Sequence, residues 1–94
     1  MMMDRRTHIE ARLLEALEAS HVEVIDESHL HAGHAGAASG AGHFRALIVS
    51  AKFEGEGRIA RQRRVYAALE AEMGPEIHAL SMQTLTPEEW AAQR

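Results

Sequence analysis

The sequence predicts an α/β (α+β) domain in the order α-β-β-α-β-α, with a three-stranded mixed sheet and helices on one face. Three observations predict it. Apolar residues recur at helical spacing over 9–20 and 58–73, whereas 21–26, 43–50 and 77–85 carry the alternating or continuous apolar runs of strands. Between them, Gly74-Pro75 and Thr86-Pro87-Glu88-Glu89 are the punctuation of helix ends. At 94 residues, 46% apolar and 26% charged, the chain 1–94 has the size and composition of a single globular domain.

Each element follows from its residues. Ile9, Leu13, Ala16, Leu17 and Ser20 line one helical face, with Glu10, Arg12, Glu15 and Glu18 mostly on the other. Its start is either a capping box at Thr7–Glu10 or an earlier cap at Asp4. His21–Asp26 and His43–Ser50 read as two strands of a hairpin. Their connection, 29–42, is 14 residues long and holds four glycines and five alanines. Hairpin loops usually take about 2–5 residues, so a long flexible loop here is the first place to look for function. Lys52–Gly57 is a turn with two glycines. A helix then runs from Arg58 to Met73, with Ile59, Gln62, Val65, Tyr66, Leu69 and Met73 near one side, unless a tight turn interrupts it near Arg61. Gly74-Pro75 stops it. Ile77–Leu85 forms the third strand, parallel to a neighbour because a helical crossover precedes it. Thr86 caps a short final helix that carries Trp90. The predicted core is Leu13, Leu17, Phe44, Ile48, Val65, Leu69 and Leu80, contributing roughly 10–20 kcal/mol before chain entropy is subtracted.

Composition narrows the function. Cysteine is absent, which excludes a disulfide scaffold, a Cys-ligated zinc site and a thiol nucleophile. The formal net charge of −4 gives no overall attraction to a nucleic-acid backbone. No run reaches the ~18 apolar residues of a membrane span, and Met1–Arg6 lacks the apolar stretch of a signal peptide, so a cytoplasmic protein without membrane contact is expected.

Seven histidines remain to be explained, and His21, His29, His31, His34 and His43 fall within 23 residues. His29-x-His31 and His31-x-x-His34 can converge on Zn²⁺ or Ni²⁺, although four closing ligands are not evident. From spacing alone, His78 is a half-buried strand-edge residue, His43 a strand-start cap, and His8 and His21 solvated surface residues. Lys52, Arg58, Arg61, Arg63 and Arg64 hold half of the ten positive charges and offer either a phosphate-contacting face or a solvated one. Asp26 and Glu27, adjacent in sequence, point to opposite faces of a strand, and Ser28 and Ser50 have no evident base. No catalytic constellation is found, and a non-enzymatic role is expected.

Read together, Asp26-Glu27-Ser28, His31-Ala32-Gly33-His34, Gly42-His43-Phe44, Ile48-Val49-Ser50, Phe53-Glu54-Gly55, Arg61–Tyr66, Ile77–Ser81 and Thr86–Trp90 resemble the BolA-like family, in family order from about Thr7 to Trp90. The resemblance implies a class II KH-like topology. It also implies a monothiol glutaredoxin partner and a shared [2Fe–2S] cluster, one iron held by the glutaredoxin cysteine and glutathione. On this side the ligands would be His78 and a loop histidine, best matched by His31 with His34 close behind. The cluster would not sit on the isolated chain, which is expected as a monomer or weak homodimer. Several bacterial members are described as transcriptional regulators of morphology and stress response, which carries the alternative of DNA binding through the Arg58–Arg64 face. No Gly-x-x-Gly loop of nucleic-acid-binding KH domains is present. The family commonly has histidine where this chain has Gln62.

Overall fold

The computed structural model describes residues 4–31 and 41–94, apart from the side chains of Leu30 and His31. Helix α1 (Arg5–Ala16) begins at Asp4, whose carboxylate accepts the Thr7 N–H at 2.7 Å. The earlier of the two predicted starts is therefore used, because this cap satisfies an N–H at the open end of the helix. Ile9, Leu13 and Leu17, four apart, point to the core with at most 3% exposure. Glu18 then adopts φ 48°, the left-handed turn that swings the chain into strand β1 (His21–Asp26).

Strand β2 (Gly42–Val49) pairs antiparallel with β1 and parallel with β3 (Ile77–Leu85), giving the order β1-β2-β3. Helix α2 (Arg58–Ala68) makes the crossover, and α3 (Pro87–Gln93) closes the chain behind a Thr86–Glu89 capping box. The mixed α+β sheet predicted from the sequence is the one observed. Even-numbered residues Val24, Phe44, Ala46 and Ile48 face α1 and α2 and share one core with Ile9, Leu13, Leu17, Phe53, Val65, Leu69 and Ile77. Trp90 of α3 instead stacks on His21 at 5.0 Å, a position that alternates away from that core.

Several details differ from the sequence reading. The loop start contains a 3₁₀ turn, Ser28–His31, nucleated where the Asp26 carboxylate accepts the Ser28 N–H at 2.9 Å. A second, Ala51–Phe53, replaces part of the expected plain turn and buries Phe53 completely. Ser50 makes this possible. Its hydroxyl donates to the Leu17 carbonyl at 2.6 Å and accepts the Lys52 N–H at 3.1 Å.

Helix α2 ends at Ala68, not Met73. The Leu69 N–H is shared between the Val65 and Tyr66 carbonyls, tightening the chain into turns. Gly74 at φ 96° completes the return to the sheet. The buried stripe of α2 is Val65, Ala68 and Leu69, while Ile59 is 65% and Tyr66 42% exposed. Six residues advance a helix by about 600°, which turns Ile59 well away from the Val65 side. Leu80 packs against the core only half-buried.

Gly42 sits where three elements meet. A Cβ there would lie 2.5 Å from Ser28 Oγ and 2.8 Å from the Phe44 ring. Gly42→Ala should lower the urea midpoint by an amount equivalent to about 1–3 kcal/mol, the usual cost of overpacking. An unchanged midpoint would show that the Ser28 turn yields freely.

Candidate functional site

The parallel β2–β3 ladder is interrupted once. Gly42 pairs with Ile77 and His43 with Ala79, so His78 is the extra residue of a bulge. Bulges re-aim a side chain out of the regular alternation. Here the His78 ring is exposed and lies 5.2 Å from the His43 ring, tilted by 41°. His43 belongs to the outward row His43, Arg45 and Leu47, the side of the sheet that α1 and α2 leave open.

Both ends of the long connection are tied to this place. The His43 N–H donates to Ser28 Oγ at 3.1 Å, and the Glu27 N–H donates to the His43 carbonyl at 2.8 Å. On the other side, the Gly42 N–H donates to the Glu76 carbonyl at 2.9 Å. Burial pushes the Asp26 carboxyl up, but hydrogen bonds from Ser28 and the fields of Arg5 and His29 leave it below its ordinary value. His31 ends the 3₁₀ turn three residues after Ser28. Its side chain, and His34 entirely, lie outside the described residues.

The sequence predicts His43 as a strand-start cap, and the structure brings it beside His78. Their closeness depends on the β2–β3 register, which the apolar pattern of either strand does not reveal. Two other histidines are less solvated than expected. His21 stacks on Trp90 and meets Glu23 at 2.6 Å, and His8 Nε2 lies 2.9 Å from a Glu72 carboxylate oxygen. Asp26 and Glu27 form no acid pair, since Glu27 is bonded to Arg45 at 3.1 Å.

Along the strands lies an open groove of about 260 Å³ whose lining includes Glu23, Ile25, Arg45, Leu47, Ser81 and Met82. Ile25, 51% exposed, is its most solvent-facing large apolar side chain.

The basic cluster is largely committed within the fold. Arg61 donates to both Glu89 carboxylate oxygens at 2.7 and 3.3 Å, to the Glu56 carbonyl at 2.8 Å and to the Thr84 carbonyl at 3.1 Å. Its guanidinium also lies 5.9 Å from the Phe53 ring centre. Arg64 pairs with Glu56 at 2.7 Å, and Lys52 with Glu18 at 3.1 Å. Arg58 and Arg63 are exposed and form no ion pair among the described residues.

Arg61 and the Thr86 N–H hold the Glu89 carboxyl from its ordinary 4.5 down to about 2. A depressed carboxylate stabilises the fold above its unfolded value and loses that contribution as the pH falls. The urea-midpoint difference between the parent and Glu89→Gln should therefore stay level near neutrality and shrink as pH falls from 4.5 towards 2. A difference that grows in acid would exclude the ion pair as its source.

Residues 13–89 match the family model described as BolA-like protein. The chain is 38% identical over 85 residues to a Haemophilus influenzae protein named DNA-binding transcriptional regulator BolA, covering 90% of this chain and 80% of that one. It is 42% identical over 87 residues to BolA-like protein 2 of Mus musculus, covering 93% and 91%. Among solved structures, a bol-like protein from Babesia bovis superposes with a TM-score of 0.79 at 40% identity, covering 98% of this chain and 95% of that one. Sequence and fold agree across nearly the whole chain, and it belongs to the BolA-like family.

Proposed function

We propose that this chain is a non-enzymatic partner of a monothiol glutaredoxin and supplies histidine ligands to a [2Fe–2S] cluster bridging the two proteins. The observation that carries this reading is the convergence at the bulge. His78 stands exposed at the point where both ends of the histidine-bearing connection are anchored. His78 would be one ligand and His31 or His34 the other.

The donor set fits the group. With no cysteine, this chain offers neutral imidazoles, and the thiolates would come from the partner and its glutathione. Imidazole in place of thiolate removes negative charge from such a centre and raises its potential. His78 is carried by β3, while the ligand from the connection would come from a separate segment. The open groove with Ile25 lies on the same face and would meet the partner.

Mixing the chain with a monothiol glutaredoxin, iron, sulfide and glutathione should give a heterodimer. Its absorption and circular dichroism should differ from those of the glutaredoxin alone. His78→Ala should abolish that difference, and comparing His31→Ala with His34→Ala should identify the second donor. A spectrum unchanged by His78→Ala would overturn the assignment.

A second reading, DNA binding, is favoured by the names of relatives such as the Haemophilus influenzae protein. In this chain it would rest on Arg58 and Arg63, since Lys52, Arg61 and Arg64 are paired with carboxylates. Two phosphate contacts predict weak affinity with a log–log salt slope of about −2. Fluorescence anisotropy on duplex DNA should show that slope disappear in the Arg58→Ala/Arg63→Ala variant. Binding that survives both substitutions would remove this face from consideration.

A further inference from the structure

We propose that His8, Glu72 and Glu76 form a binding site for a divalent transition-metal cation of the Zn²⁺ type, distinct from the His78 site. One nitrogen and two carboxylate oxygens, one from each residue, all lie within 4.8 Å of one another. His8 comes from the first turns of α1, and the two glutamates from the turns between α2 and β3.

The backbone sets this arrangement. The Glu76 N–H donates to the Glu72 carbonyl at 3.0 Å, a helix-like turn that brings side chains four apart to one side. The Asp4 carbonyl accepts the His8 N–H at 2.9 Å, holding the histidine in its helix. The Glu76 carbonyl accepts from Gly42, so the second carboxylate is anchored to the central strand.

An ordinary histidine–glutamate hydrogen bond accounts for only part of this. The Glu72 side chain is 7% exposed and gives Oε2 to His8 Nε2 at 2.9 Å. Its other oxygen, Oε1, is buried and has no hydrogen-bond partner among the described residues. A buried carboxylate oxygen without a donor is costly, and such groups call for an ion, a water or a counter-charge. The nearby Glu76 carboxylate adds a second negative charge, which makes a cation the matching occupant.

The donor types select its class. Zn²⁺ takes imidazole nitrogen and carboxylate oxygen at about 2.0–2.2 Å, so three donors around it would stand about 3.4 Å apart. Mg²⁺ and Ca²⁺ prefer all-oxygen sites, so the imidazole disfavours them. Three protein ligands leave a fourth position for water. A bound ion would join α1 to the turns that lead into β3.

The test uses the full chain and two probes. Co²⁺ added to the unmodified protein should broaden amide NMR signals around residues 8, 72 and 76. Calorimetry with Zn²⁺ should show saturable binding in the variant carrying His29→Ala, His31→Ala, His34→Ala and His78→Ala, which removes competing imidazoles. Adding His8→Ala or Glu76→Gln to it should weaken binding at least about tenfold. Circular dichroism in chelator should show each variant folded, and the Co²⁺ readout needs no substitution. No broadening near these residues, or Zn²⁺ affinity unchanged by both His8→Ala and Glu76→Gln, would overturn the site.

Discussion

The close approach at Gly42 governs where the candidate ligands of this fold can lie. Gly42 has Ser28 Oγ and the Phe44 ring within contact of where its Cβ would be, and its N–H is bonded to the Glu76 carbonyl. A side chain here would push apart the start of the long connection, the central strand and the entry to β3. Because it has none, β2 can pair with Ile77 and then step over His78 to Ala79. That step turns His78 outward beside His43. It also brings the Glu76 backbone against the central strand, with the Glu76 carboxylate near His8. The approach of His78 to His43 and the anchoring of the Glu76 backbone thus both involve the space left at one glycine.

The other end of the sheet is organised differently. Ser50, fully buried, links the C-terminal end of α1 to the exit of β2 through its hydroxyl and starts the turn that buries Phe53. Arg61 covers Phe53 and binds Glu89, joining α2 to the capping box of α3. The guanidinium makes four hydrogen bonds within the fold, two to carbonyls and two to a carboxylate. An arginine so engaged is a structural clasp. A basic cluster on a helix therefore says little about nucleic acid until its partners are known.

Much of the fold was legible in the chain because its signals are local. The i, i+4 spacing of Ile9, Leu13 and Leu17 marks a helix wherever it occurs, and the Thr86-Pro87-Glu88-Glu89 cap acts within a single turn. The parallel third strand followed from chirality, since a strand–helix–strand crossover leaves little choice. Helical spacing continues through Leu69 and Met73, but the backbone has already tightened after Ala68. Spacing groups Ile59 and Tyr66 with Val65 and Leu69 near one side of the helix, but only Val65 and Leu69 of these are buried, because the width of the buried stripe is decided by what packs on it.

The sequence by itself determined the order of elements, the absence of thiols and the position of the histidine-bearing connection. Those properties depend on residue identity and on neighbours a few places away. Only the tertiary structure decided that His43 stands against His78, that Arg61 is spent on Glu89, and that His8 meets Glu72 from 64 positions away. Each of these contacts depends on strand register or on helix docking. Register can change by one residue at a bulge without altering the apolar pattern, and docking is set by the packed volume of the whole core.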